Sequence, residues 1–314
     1  MKNIFLFGEC MIELMTASQE KSSSTIKQSF AGDVFNTAVY LKRTFSDIKV
    51  NLVTAVGKDN FSQKMVQYFE DEQIGTDLVF QSETKIPGLY SIQLDDKGER
   101  SFTYWRNDSA ARQVMQHIDD QAISQLSEGD MFFFSGISLA VVEPEARADF
   151  WSMIEKLKSA DVKIVFDPNY RARMWDTPGQ AKEQFELAFS AADVLLPGVD
   201  DFEQLYGMTT SQEVYDFCKP YQFDELIIKN GEMGIICYLG DLAYEFFITP
   251  VDNVVDTTSA GDSFNGVYLG ARANGLSLSE AIELASKSAA FVIQHHGAIV
   301  EPNAYQAFIT DLLN

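Results

Sequence analysis

Short strand-like runs alternate with long helical patterns along most of this chain, and that alternation limits its fold more than any other feature. Runs rich in β-branched and aromatic residues occur at Ile4–Phe7, Asn51–Val56, Met131–Phe134, Lys163–Phe166, Val194–Leu196 and Glu225–Ile228. Helical patterns occur at Val34–Phe45, Phe61–Gln73, Glu145–Lys158 and Gly179–Ala191, with Ala260–Ala273 and Leu278–Gln294 after the last of these strands. Strands separated by helices of about 10 or more residues read as βαβ units. The expected fold is therefore α/β, with a doubly wound, mainly parallel sheet. A length of 314 residues and 46% apolar content suit one large domain of that kind with a small appendage.

One stretch breaks the rhythm. Leu89–Leu94 and Arg100–Arg106 are strand-like and are joined by the turn-rich Asp95–Glu99. Alternation places Tyr90, Ile92 and Leu94 on one face of the first run, and Phe102, Tyr104 and Arg106 on one face of the second. Such an inserted hairpin either covers a site or forms a sheet edge or an oligomer contact. Aromatics and an arginine sharing a face favour the binding role. The polar segment Gln19–Gln28, with three consecutive serines, reads as a loop or an edge excursion.

The charge excludes several functions. With 24 basic and 46 acidic residues, the net charge is −22. Such a surface repels phosphate backbones and anionic lipid, so nucleic acid and membranes are not expected partners. Cys10, Cys218 and Cys237 have no metal-ligand spacing and read as free thiols in a reducing, cytoplasmic compartment. The three histidines include the pair His295-His296 at a helix end, which argues against a histidine metal site.

The most informative stretch is Asp256-Thr257-Thr258-Ser259-Ala260-Gly261-Asp262-Ser263-Phe264, between a strand-like Val-Asp-Asn-Val-Val and a helix. Small residues let backbone N–H groups approach a ligand, and a helix N-terminus offers unpaired donors at its positive end. That assembly stabilises negative charge of the kind a transferring phosphoryl group carries. Asp262, at the helix start, is placed to take a proton from an attacking hydroxyl, although an aspartate there is also a common helix cap. No Walker A loop occurs. The run resembles the D-T-x-x-A-G-D signature of ribokinase-like, PfkB-family carbohydrate kinases, matched here by Asp256, Thr257, Ala260, Gly261 and Asp262. The resemblance implies that Asp262 is the catalytic base and that the backbone of Ser259, Ala260, Gly261 and Asp262 forms an anion hole.

Other segments extend the resemblance. Ala31-Gly32-Asp33-Val34-Phe35-Asn36-Thr37-Ala38 precedes a helix; Gly32 permits a close backbone approach, and Asp33 and Asn36 lie about one turn apart. It is similar to the family's A/G-G-x-x-x-N-x-A signature, with Asp33 in place of a frequent second glycine, as in the branch that includes 2-keto-3-deoxygluconate kinases. The family pattern places Gly32 and Asn36 in the sugar pocket, with Asp33 beside them. Lys229-Asn230-Gly231-Glu232-Met233-Gly234 suits a tight turn between strands, and also resembles the family's K-x-G-x-x-G segment beside the nucleotide. That resemblance implies contacts to ATP from Lys229, Gly231 and Gly234, near Thr257 and Gly261. Where the family carries N-x-x-E, this chain has Gly198 and Asp201, leaving one carboxylate for indirect support of Mg²⁺. The same stretch also reads simply as an acidic helix N-terminus.

Two regions bear on the acceptor. One is the hairpin, with Pro87-Gly88-Leu89-Tyr90 and Phe102-Thr103-Tyr104-Trp105-Arg106-Asn107. The other is Asp167-Pro168-Asn169-Tyr170-Arg171-Ala172-Arg173-Met174-Trp175, at the carboxyl end of a predicted strand. A guanidinium binds a carboxylate at two points, whereas neutral hydroxyls need no fixed cation. Arginines here therefore suggest an anionic substrate, unless Arg171 and Arg173 pair with nearby surface acids. Both stretches resemble 2-keto-3-deoxygluconate kinases, which implies that Tyr90, Tyr104, Arg106, Asn169 and Arg171 contact a sugar acid phosphorylated at its C6 hydroxyl. The whole chain, residues 1–314, would be one kinase domain with a β lid formed by about 12–30 and 87–107. Fructose, ribose or a nucleoside are the rival acceptors, and a sugar-acid sensor without catalysis is the rival class. The resemblance leaves open a monovalent-cation requirement and the epimer preference. An exposed lid is where a homo-oligomer would form.

Overall fold

The computed structural model describes residues 1–20, 23–94, 100–240 and 242–313. Its strands are β1 (Asn3–Phe7), β2 (Met11–Glu20), β3 (Ser23–Ala31), β4 (Lys49–Val56), β5 (Gly75–Gln81), β6 (Leu89–Leu94) and β7 (Arg100–Trp105), followed by β8 (Met131–Ser135), β9 (Lys163–Asp167), β10 (Val194–Leu195), β11 (Glu225–Lys229), β12 (Ile235–Leu239) and β13 (Leu242–Phe246). Nine form one sheet in the order β13-β12-β11-β10-β9-β8-β1-β4-β5, parallel except for the two edge pairings β11–β12 and β12–β13. The other four form a smaller sheet in the order β3-β2-β6-β7.

The large sheet is buried on both faces, and β1 shows why its sequence is apolar throughout. Ile4 and Leu6 enter one core while Phe5 and Phe7 enter the other, and all four are essentially inaccessible. The first core packs helices Asp33–Thr44, Asn60–Asp71, Ala260–Ala273 and Leu278–Val292; the second packs Arg147–Ser159, Pro178–Ala191 and Val199–Tyr206. The winding reverses at β1, which lies between β8 and β4. In open α/β sheets, ligands bind beyond the carboxyl ends of strands at such a reversal. Gly8, Glu9, Ser135 and Asp167 stand there.

The small sheet covers that end. β2 pairs parallel with β6, and β6 pairs antiparallel with β7, matching Tyr90 to Tyr104 and Ile92 to Phe102. The Gln19–Gln28 segment is not a loop: apart from Lys21 and Ser22, which lie outside the described residues, it belongs to β2 and to the edge strand β3. Its polarity follows from position, because Thr25, Ile26 and Lys27 face solvent on an outer strand. The expected Asp95–Glu99 turn also lies outside the described residues. The strand-like Val251–Val255 forms no ladder; the Val255 and Asp256 amides bond instead to the Ile293 carbonyl, at 2.8 and 3.0 Å. β12 is the strand that the turn reading of Lys229–Gly234 implies, whereas β5, β13 and the final helix Pro302–Leu313 were not expected. No helix among the described residues is long and apolar enough to cross a membrane.

Candidate active site

Two helices from distant parts of the chain build the centre of the site. A Cβ on Gly266 would lie 2.3 Å from the Thr37 carbonyl oxygen, so only glycine lets helices Asp33–Thr44 and Ala260–Ala273 pack this closely. That approach sets Asn36 against Asp262, with the Asn36 Nδ2 donating to Asp262 Oδ2 at 2.9 Å. Gly32, before the first helix, is also fixed by proximity: a Cβ there would lie 2.2 Å from the Glu9 carbonyl oxygen. The close approach expected of Gly32 is thus to the chain leaving β1. Asp33 Oδ2 accepts from Ser135 Oγ at 2.6 Å and Asn169 Nδ2 at 2.9 Å, tying the helix to the ends of β8 and β9.

Asp262 is strongly perturbed. Burial, reinforced by the charge of Asp33, raises its carboxyl pKa to about 7, while contacts from Asn36 and Ser259 pull it back. Burial raises Asp33 as well. Asp262 does not cap its helix; the N-cap is Ser259, held in the left-handed region at φ 67°. The Ala260 amide turns back to the Thr257 carbonyl at 3.3 Å. Gly261 and Asp262 lie in the first turn, where N–H groups have no intrahelical partner. Asp256 holds this loop from behind, accepting from the Thr258 amide at 3.0 Å and the Gly297 amide at 2.7 Å.

Beside the helix N-terminus lies a cavity of about 340 Å³, walled by Ile235, Ile248, Val254, Ala290 and Ile293. Lys229, Gly231, Thr257, Ala260 and Gly261 line it too. An apolar slot running to free amides fits a flat heteroaromatic base joined to phosphates. Gly234 is not among the lining residues; its φ of 105° and a hypothetical Cβ 2.5 Å from the Phe246 carbonyl oxygen give it the turn role between β11 and β12. The Lys229 side chain points inward, with Nζ 3.4 Å from Asp167 Oδ1 and 3.1 Å from Asn265 Oδ1, and Asn265 donates to Asp167 Oδ2 at 2.7 Å. Asp201 accepts the Tyr170 amide at 2.8 Å; burial, then the Asp167 charge, raises its pKa to about 6. No cluster of three or more His, Cys, Asp or Glu suited to a metal occurs among the described residues. Two carboxylates beside a lysine do suit Mg²⁺ held mainly by phosphate oxygens and water.

The lid side is organised differently. The Arg106 guanidinium pairs with Glu9, which is only 2% exposed, and reaches Met174 Sδ at 3.4 Å. The Tyr90 hydroxyl donates to the buried Glu13, which also accepts from Ser29 Oγ at 2.7 Å. Tyr90 stacks on Tyr104 at 5.5 Å between ring centroids. Arg171 lies near Asp201, at 3.6 Å, so the acid-pairing alternative holds for it here. The structure thus brings Asp33, Asn36, Asn169 and Asp262 together, and puts Arg106 and Arg171 on separate carboxylates. Sequence reasoning did not pick out Glu9, Glu13, Ser135 or Asn265 for this site, and it quoted Asp167 only as part of the acceptor segment, without a role. Glu9 and Glu13 did carry a signal, as charges inside an otherwise apolar N-terminal run.

The model of the pfkB family carbohydrate kinases matches residues 1–304. A 2-dehydro-3-deoxygluconokinase of Haemophilus influenzae is 38% identical over 307 residues, covering 96% of this chain and 96% of that protein. Its counterpart in Dickeya dadantii is 36% identical over 312 residues, covering 98% and 99%. Among solved structures, a putative ribokinase II of E. coli in complex with ATP and Mg²⁺ superposes with a TM-score of 0.83 at 19% identity, covering 99% of this chain and 100% of that one. At that identity the last likeness speaks for the fold alone.

Proposed function

The chain belongs to the pfkB family of carbohydrate kinases, and on that premise we propose that it transfers the γ-phosphoryl group of ATP to the C6 hydroxyl of 2-keto-3-deoxygluconate. The observation that carries this reading is the full-length likeness to 2-dehydro-3-deoxygluconokinases. The lid arginine Arg106, at the mouth of a cleft floored by Asp33, Asn36 and Asp262, gives it a chemical basis.

In the reaction, the acceptor hydroxyl loses its proton to Asp262 as its oxygen bonds to the γ-phosphorus. The bond from that phosphorus to the bridging oxygen breaks, and ADP leaves. A carboxylate with a pKa near 7 is well matched to this task at neutral pH. Asn36 orients it, and Asp33, fixed by Ser135 and Asn169, keeps its pKa high. The Gly261 and Asp262 amides face the phosphoryl group with the positive end of a helix behind them. Lys229, through Asp167 and Asn265, ties the nucleotide loop to the sugar pocket. Mg²⁺, when bound, neutralises phosphate charge, and Asp201 with Asp167 are the carboxylates that would hold it. At the other end, Arg106 binds the substrate carboxylate, for which Glu9 serves as the resident stand-in. The lid and the large sheet work as one kinase domain, and closure excludes water from the phosphoryl group.

The test is Mg²⁺-ATP-dependent ADP release with equal concentrations of 2-keto-3-deoxygluconate, fructose, ribose and adenosine. The proposal expects turnover chiefly with the keto acid. Turnover chiefly with a neutral sugar or a nucleoside would overturn the acceptor assignment, and silence on all four would overturn it too.

A further inference from the structure

A second cavity, of about 310 Å³, adjoins Arg106 and has four arginines in its walls. Tyr104 and Arg106 of the lid side line it, together with Arg112 of the 3₁₀ segment Ala110–His117, Arg147 at the start of its helix, and Arg173 and Trp175 beyond β9. None of Asp33, Asn36, Asn169 or Asp262 lines it. Four of the eight arginines in a chain of net charge −22 therefore converge on one small space.

Arg106 pairs with Glu9, but the other three lack that compensation. Salt bridges among the described residues use Arg43, Arg106, Arg171 and Arg272, and none uses Arg112, Arg147 or Arg173. Asp176 is the one carboxylate lining the cavity, and it makes no salt bridge among the described residues. Arg147 is 8% exposed, and its buried Nε has no hydrogen-bond partner. Its guanidinium stands 5.0 Å from the Trp175 ring centroid, and that of Arg173 3.8 Å from the Tyr104 centroid, so aromatic faces orient both. Burial, then the charge of Arg112, lowers the pKa of Arg147. Asp176 and Glu145 offset part of this, but neither forms a salt bridge with Arg147 among the described residues, and a buried cation so placed is costly unless a ligand supplies further negative charge.

We propose that this cavity, which adjoins the cleft at Asp262 and shares Arg106 with it, is a second anion-binding site built on Arg112, Arg147 and Arg173 that takes a small, multiply charged oxyanion such as a phosphorylated or polycarboxylic acid. Planar guanidinium groups on several walls match an anion with several oxygens, and the enclosed volume admits a small metabolite but no polymer. Because Tyr104 and Arg106 come from the lid side while Arg147, Arg173 and Trp175 come from the core, a bound anion bridges the two. Occupancy therefore favours the closed lid.

The site is tested by calorimetric titration of the full-length protein with inorganic phosphate and, separately, with tricarballylate. Mg²⁺ and a non-hydrolysable ATP analogue occupy the nucleotide site throughout. The expected result is saturable binding of at least one of the two anions, one per chain, weakened about tenfold or more by Arg112→Gln and by added sodium chloride. The anion that binds assigns the source. Arg112 is only partly buried, and folding of the variant is checked by its chemical-denaturation midpoint. Absence of saturable binding by both anions, or binding unchanged in both Arg112→Gln and Arg147→Gln, would overturn the proposal. No step of this titration involves turnover, so its outcome is independent of the acceptor assignment.

Discussion

The phosphoryl end of the cleft and the lid end are built on opposite plans. At the phosphoryl end of the proposed site, Asp262, Asn36 and Asp33 sit on two helices locked together through Gly266, and their polar contacts are made to one another and to the sheet ends. At the lid end, Arg106 and Tyr90 are engaged by Glu9 and Glu13, which on the proposed function must yield or share them before a substrate can be held. The contrast separates two tasks. Catalysis needs atoms fixed before the substrate arrives, because reorganisation during the reaction raises the barrier. Recognition residues need their charges satisfied while no substrate is bound, because a buried unpaired guanidinium is costly.

Three substitutions can break that comparison. The largest effect should come from Asp262→Asn, which removes the base while keeping its shape: kcat is expected to fall by ~10³-fold, with KM for the keto acid within a few-fold of wild type. Near-normal turnover would remove Asp262 as base. Gly266→Val attacks the packing behind the same end. Its added carbon meets the Thr37 carbonyl, so chemical denaturation should show a loss of ~3 kcal/mol and a fall in kcat. Arg106→Ala strikes only the lid end, and steady-state kinetics should show KM for the keto acid raised ~10–100-fold while KM for ATP is unchanged. An equal rise in both would mean that the two ends are not separable.

The smallest effect concerns stability. Because the folded pKa of Asp262 is raised, its ionised form disfavours the folded state. That penalty is absent below the ordinary carboxylate pKa of 3.8 and complete above about 7. Asp262→Asn should therefore stabilise the unliganded protein at pH 8 and have nearly no effect at pH 4, read from denaturation midpoints at the two values. Equal stabilisation at both values would separate the effect from ionisation.

The two ends also differed in how far the sequence disclosed them. Asp256–Phe264 was legible because its chemistry is local: a small-residue loop, a helix start and a carboxylate lie within nine positions. The Asp33–Asn36 pair was legible for the same reason. Glu9, Glu13, Ser135 and Asn265 act through partners far along the chain, and no local pattern announces such contacts. Glu9 reads as a charge that interrupts an apolar run until the β6–β7 hairpin folds over it and brings Arg106 to its carboxylate. In the fold, the buried parallel strands show as continuous apolar runs, whereas β13 is largely exposed and carries no alternation. β3 is polar because it is an edge. The run Val251–Val255 has strand composition but no strand beside it, since Ile293 takes its amides.

The most direct test of the account is the pH dependence of kcat/KM for 2-keto-3-deoxygluconate at saturating Mg²⁺-ATP. Asp262 must be ionised to accept the proton, so kcat/KM should rise with a slope of one below about pH 7 and level off above it. The Asp262→Asn variant should lose that limb along with the activity. A profile flat from pH 5 to 8, or a limb that survives the substitution, would contradict a buried, preassembled base at the centre of this site.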